Sequence, residues 1–205
     1  MIGFIPPKKT YNHISGIDLI KTNSDNFYVL EDNVRVPSGA SYMIENRDTM
    51  IKLFPDLISR YKVFENRNYA NNLSEILKKS SPKKANRNPN IVLLTPGIYN
   101  SAFFEHAFLA DKLGIELVEG KDLRVINKYL NMKTIEGWKR VDVIYRRIDD
   151  IFLDPLSFKE DSFLGVPGLM EVYRNKYVTI ANAPGTGISD DKSIYSYIPD
   201  IIKFY

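Results

Sequence analysis

The sequence predicts an α/β protein made of two unlike halves, and three observations predict it. Two strand-like runs, 14–20 and 27–31, flank a polar turn at 21–26, the pattern of a β-hairpin. Beyond a polar, basic stretch at 80–90 that holds Pro82 and Pro89, strand-like and helix-like segments alternate, as in layered α/β folds. The run Ile91-Val92-Leu93-Leu94-Thr95 is almost unbroken in its apolarity, which suits a parallel strand covered on both faces.

Each element follows from local pattern. A tight loop at 33–39, with Pro37 and Gly39, follows the hairpin. Across 42–54, Met43, Ile44, Met50, Ile51 and Phe54 share one broad helical face, and Pro55 ends that helix or lies just past its end. A second helix is expected at 72–79, with Asn72 and Glu75 spaced as a capping pair. The 80–90 stretch reads as a solvated linker, with contact to a phosphate or nucleic acid as the alternative use of its lysines. The division is therefore 1–79, a linker at 80–90, and 91–205. In the second half a helix at 101–113 turns Phe104, Ala107, Phe108 and Leu113 to one face, and Gly114 suits its left-handed end. Strands are expected at 115–118, 123–126, 138–145 and 177–181, with a turn at 127–137. Gly185-Thr186-Gly187 then leads to a last helix, capped by Asp190 or Asp191 and running to Phe204. The sequence stops inside that apolar pattern, so either a truncated C-terminus or a docked C-terminal helix is expected.

Composition sets the limits. The 205 residues are 44% hydrophobic and 26% charged, ordinary globular usage that supplies a core for one domain or two small ones. A net charge of +3 with no basic stripe argues against a nucleic-acid partner. The absence of cysteine excludes disulfides, thiolate metal sites and a cysteine nucleophile, and fits a reducing cytoplasm. The N-terminal residues have no apolar signal-peptide core, and no stretch is apolar for long enough to span a bilayer, so no membrane partner is expected.

The sharpest chemical pattern lies in the hairpin. Glu31 and Asn33 are two apart, so on a strand they share a face, and an in-register partner strand lets Asp18 join them. Two carboxylates and an amide oxygen are hard ligands of the kind magnesium takes alongside substrate phosphates. The bland alternative is a set of solvated acids at strand ends. Arg35, two residues further, offers a guanidinium fork for phosphate or carboxylate. In the second half, Thr95 to Asn100 follows a strand and opens a helix, whose N–H groups suit an anion. Arg146, Arg147 and Asp149 stand at a strand end, where open α/β sheets place ligands. Neighbouring arginines on a strand point opposite ways, so at most one of them is expected to face a ligand, and a surface ion pair is the alternative for the other. Lys192 stands either near a nucleotide or as a helix-start charge. For Glu105 and His106 the alternative to a site role is helix-surface packing.

Gly16-Ile17-Asp18-Leu19 followed by 27–33, Phe-Tyr-Val-Leu-Glu-Asp-Asn, resembles the metal-binding hairpin of the ATP-grasp superfamily. The hairpin comes first here and the Rossmann-like half follows, an order that resembles the circularly permuted ATP-grasp family. The strings 30–47, 94–106, 117–120 and 142–150 are also similar to that family, so the resemblance covers nearly the whole chain. One departure is Val36, where the family's usual string has threonine, which removes a hydroxyl. The resemblance implies a permuted ATP-grasp catalytic hairpin region before a Rossmann-like pre-ATP-grasp layer. It implies Mg²⁺ held by Asp18, Glu31 and Asn33, ATP, and a carboxylate activated as an acyl phosphate that an amine then attacks. It implies Arg35 as the catalytic group, and Ser38, Asn100, Arg146, Arg147 and Lys192 as contacts for substrate or phosphate. Partners are then ATP and small-molecule or peptide acids and amines. Family members are longer, so the adenine clamp is expected outside this sequence. The rival reading is a non-catalytic binding module or inactive fragment.

Overall fold

The computed structural model describes residues 3–23, 25–61 and 63–205. Strands β1 (Gly16–Lys21) and β2 (Phe27–Asn33) pair antiparallel as a separate two-stranded sheet. Gly39, at φ 110, makes the turn into α1 (Ala40–Leu53), a backbone angle costly for any residue with a Cβ. Pro55 does more than end α1. It occupies the first turn of α2 (Pro55–Arg60), where its missing N–H would have had no partner. The next helix, α3 (Tyr69–Lys79), starts a turn before the expected Asn72. Its N-cap is Asn68, and no side-chain cap bond forms, so the Asn72–Glu75 spacing was not a cap.

The second half is built on a four-stranded parallel sheet, ordered β4 (Glu116–Val118), β3 (Ile91–Leu94), β8 (Val143–Arg146), β9 (Thr179–Ala181). Alternation along its strands separates two cores. Val92, Leu94, Ile144 and Ile180 enter one, and Ile91, Leu93, Val143, Tyr145 and Ala181 enter the other. The second core is closed by Leu73 and Leu77 of α3 and by Leu109, Ala110 and Leu113 of α4 (Phe103–Leu113). Gly114 ends α4 in the left-handed conformation, φ 63. The first core is closed by α5 (Leu169–Arg174) and by an antiparallel sheet, β5 (Leu123–Ile126), β6 (Tyr129–Thr134) and β7 (Gly137–Arg140).

That antiparallel sheet corrects two expectations. The segment 127–137 is not one long turn, because β6 lies inside it. Leu130 and Met132 alternate into the core, but the polar residues between them hid the pattern. The run 138–145 is not one strand either. It divides at Val141-Asp142 between two sheets, where the Asp142 carboxylate accepts from Asn90 N–H at 3.1 Å. The final helix is also shorter than expected: two 3₁₀ turns, Thr186–Asp190 and Lys192–Ser196, precede α6 (Ile198–Phe204). Asp191 caps the second turn by accepting from Ser193 N–H at 2.9 Å, and Asp190 is used elsewhere. No helix among the described residues is long and apolar enough to cross a membrane.

Asn182, just past β9 and almost fully buried, ties the hairpin to the parallel sheet. Its Oδ1 accepts from His13 N–H at 2.7 Å and Ile14 N–H at 3.1 Å. Its Nδ2 donates to Ile14 O at 2.7 Å and Val34 O at 2.5 Å. Asn182→Ala strands those backbone groups, and equilibrium denaturation is expected to show a loss of about 3 kcal/mol.

Candidate functional site

Hairpin register decides which side chains meet. Asp18 lies directly opposite Glu31 and Gly16 opposite Asn33, so Asp18, Glu31 and Asn33 stand on one face. Just beyond Asp18 the pairing jumps from Glu31 to Val29, a bulge that leaves Leu30 without a counterpart. The Glu31 carboxyl lies within hydrogen-bonding reach of the Asp18 and Asn33 side chains and against Lys192. The Lys192 ammonium is the largest influence on Glu31 and holds its pKa below the ordinary carboxylate range, while partial burial opposes it. The Lys192 Nζ–Glu31 Oε2 distance is 3.2 Å. Among the described residues no three His, Asp or Glu side chains are grouped to hold a metal; the hairpin's third donor is an amide.

Residues some 160 positions away brace the end of this hairpin. Asp32 N–H donates to the Tyr195 hydroxyl. Asp190 Oδ1 accepts from Val34 N–H at 2.7 Å and Arg35 N–H at 3.3 Å. Thr186 Oγ1 donates to Val34 O at 3.1 Å. The Arg35 side chain lies between two carboxylates, with Nε 3.5 Å from Asp149 Oδ1 and 3.6 Å from Asp190 Oδ2.

A buried ion pair fixes the loop between β2 and α1. Arg147 Nη2 donates to Glu105 Oε1 at 2.9 Å, with both side chains 1% exposed. Glu105 Oε2 accepts from Gly39 N–H at 2.7 Å, Ser41 N–H at 3.2 Å and Ser41 Oγ at 2.9 Å, and Arg147 Nη1 donates to Pro37 O. Those bonds offset much of the desolvation that burying two charges costs. The loop and the carboxyl end of β8 enclose a cleft of about 220 Å³, lined among others by Val36, Ser38, Asn100, His106, Arg147 and Asp149. Asn100 Oδ1 accepts from Ala102 N–H at 2.9 Å, so part of its side chain organises the start of α4. His106 is pushed down to about 4, chiefly by burial and then by the Arg147 charge, with Glu105 opposing. The imidazole is therefore neutral at pH 7, with Nδ1 2.8 Å from Thr95 Oγ1.

Of the expected site residues, the structure brings Asp18, Glu31, Asn33 and Lys192 together at the hairpin, with Arg35 beside them. It brings Ser38, Asn100 and Arg147 together at the cleft. Arg146 joins neither. Its guanidinium, in a residue 1% exposed, donates to Asn182 O at 2.8 Å and Ile148 O at 3.1 Å and pairs with Asp150 at 2.5 Å. Only Arg147 of the two arginines lines the cleft, and Arg146 forms an ion pair that is buried rather than on the surface. Helix-surface packing for Glu105 and His106 does not hold, because both lie inside. Asp190, Asn182 and Glu105 carry structural weight that local pattern did not reveal. A carboxylate at the start of a helix reads as a cap unless its distant partners are known.

A family described as a circularly permuted ATP-grasp matches residues 1–205. The chain is 52% identical over 204 residues to the Synechocystis protein named "Uncharacterized protein sll0335", covering 100% of this chain and 42% of that one. It is 48% identical over 204 residues to Rv2411c of Mycobacterium tuberculosis, covering 100% of this chain and 37% of the relative. It is 37% identical over 191 residues to a Frankia alni protein named "Putative glutamate--cysteine ligase 2-3", covering 93% of this chain and 22% of the relative. The chain thus spans about two-fifths or less of the length of these relatives.

Glu105→Gln leaves Arg147 buried without its counter-charge and is expected to cost about 3–5 kcal/mol in chemical denaturation. Acid should weaken the fold before its carboxylates titrate. His13 and His106 both fall from 6.5 to about 4 on folding, in each case mainly through burial, so the unfolded chain takes up their protons first. Stability is then full above about 6.5 and is lost as pH falls toward about 4. Urea midpoints measured across that window should decline, and His106→Gln should shallow the decline.

Proposed function

The chain belongs to the circularly permuted ATP-grasp family, and from that membership and the hairpin geometry we propose that it forms the metal-holding part of an ATP-dependent ligase site. The activity is that of the protein carrying this chain, joining a carboxylate to an amine through an acyl phosphate. One observation carries the reading: Asp18, Glu31 and Asn33 converge on one face of the hairpin. The donor set fits magnesium, since all three side chains offer hard oxygen and the two carboxylates lie opposite each other. A cationic group, the Lys192 ammonium, is already drawn to Glu31, as the local field requires. Asp18, Glu31 and Asn33 would hold Mg²⁺ there, and the ion would supply neutralisation of negative charge on a phosphate-bearing substrate.

The chain's own residues would do the rest. Asp18, Glu31 and Asn33 orient the cation. Arg35, held beside them, offers a fixed positive charge to the transferred phosphoryl group and stabilises the reaction's developing charge. Lys192, exposed and paired with Glu31 at 3.2 Å, would be free to offer its ammonium to a phosphate oxygen once another cation neutralises Glu31. The cleft at Ser38, Asn100 and Arg147, whose lining Asp149 lies 3.5 Å from Arg35, would receive the acid or amine substrate. Arg147 supplies hydrogen bonds and shape there more than net charge, because Glu105 neutralises it. The name of the Frankia relative, a glutamate–cysteine ligase, supports chemistry that joins an acid to an amine.

In the protein carrying this chain, Glu31→Gln should lower acid- and amine-dependent ATP turnover by about 10³-fold or more, with the thermal transition unchanged. Transfer of ¹⁸O from a labelled carboxylate to phosphate should accompany turnover. Full activity in the Gln variant rules out the assigned metal site. Binding of Mg-ATP with no turnover for any acid and amine would mark a binding module.

A further inference from the structure

Arg35 follows the hairpin's acidic face by two residues, and its side chain is nearly half exposed. A free arginine on a surface spreads over many rotamers, and ordering it on a ligand costs about 2 kcal/mol of entropy. Here that freedom is reduced before any ligand arrives. Gly187 forms the floor: a Cβ added there would lie 2.8 Å from Arg35 Cδ and 3.3 Å from its Nε. Asp149 and Asp190 flank the guanidinium, and both recorded ion pairs run to Nε. The two carboxylates thus approach the inner nitrogen of the fork, at 3.5 and 3.6 Å. Asp190 differs from Asp149 in kind. Its side chain is 14% exposed, against 46% for Asp149, and one carboxylate grips both the Arg35 backbone N–H and the Arg35 side chain. It also accepts from Val34 N–H, which sets the strand end from which Arg35 projects.

We propose that Asp190, with Gly187 as the seat, is the positioning residue of Arg35, orienting its guanidinium toward a phosphate-bearing ligand at the hairpin. This rests on the nucleotide reading above for the ligand, but not for the orientation. Asp190 itself touches no ligand; it acts through Arg35. Asp190→Asn is the informative change, because an amide oxygen still accepts from Val34 and Arg35 N–H while the charge facing Nε is lost. Gly187→Ala crowds the same side chain and alters no charge.

Two measurements test the proposal. The first is ¹⁵N relaxation of the Arg35 Nε–H in the ligand-free protein. Its order parameter should resemble rigid backbone, about 0.85, in the wild type and fall below about 0.6 in Asp190→Asn and in Gly187→Ala. The second is a double-mutant cycle on Mg-ATP affinity by calorimetry. Arg35→Ala and Asp190→Asn should each weaken binding about tenfold, and the double variant should be no weaker than Arg35→Ala alone. Mn²⁺ affinity without nucleotide should stay within about twofold in Asp190→Asn, because the hairpin ligands are untouched. An equally rigid Nε–H in Asp190→Asn, or fully additive losses in the cycle, overturns the proposal. A wild type that binds no Mg-ATP while Arg35 still loosens in both variants overturns the nucleotide reading instead and leaves the positioning role standing.

Discussion

The rest of the structure depends on the register of one short hairpin. With Asp18 opposite Glu31, two carboxylates and the Asn33 amide face the same side. A slip by one residue would send each strand's alternate set to the other face and scatter them. An isolated two-stranded hairpin is marginal in water. Its register is therefore fixed from outside, by Asn182 at its root and by the 186–195 segment along its end. The bulge after Asp18 belongs to the same arrangement, since it ends regular pairing beside the acidic face.

Charge explains why these braces are worth their desolvation. Placing Asp18 and Glu31 side by side is unfavourable without a cation, and Lys192 supplies one from outside the hairpin. The Glu105–Arg147 pair solves a different problem. It holds the turn of Pro37 to Ser41 by its backbone groups, with a net charge near zero. The cleft beside it is thus shaped by charged groups without being strongly charged, while the hairpin face is acidic. On the proposed reading, the acidic face takes the divalent cation and the cleft takes the organic substrate.

Much of this was legible in the sequence, for reasons that particular residues show. Period-two spacing placed Glu31 and Asn33 on one face, and the unbroken run at 91–94 marked a strand buried on both sides. Gly114 announced the end of α4. What stayed hidden depends on distance along the chain. Asp190 looks like a helix cap until Val34 and Arg35 are placed against it. Glu105 on an amphipathic helix looks like a surface acid until Arg147 reaches it from just past β8. The strand β6 was missed because its buried Leu130 and Met132 alternate with Asn131 and Lys133, within a stretch whose Asn127 and Gly137 read as turn signals. The rule that adjacent strand arginines diverge holds for Arg146 and Arg147, but the sheet is covered on both faces, so divergence buries each in its own network.

The central claim is that these three side chains share one ion. The most direct measurement is an anomalous-scattering map from crystals grown with manganese and a non-hydrolysable ATP analogue. The account predicts one strong peak with oxygens of Asp18, Glu31 and Asn33 within about 2.3 Å of it. It also predicts nucleotide phosphate completing the shell and Lys192 withdrawn from Glu31. Manganese and phosphate bound elsewhere, with Lys192 still paired to Glu31, would contradict it.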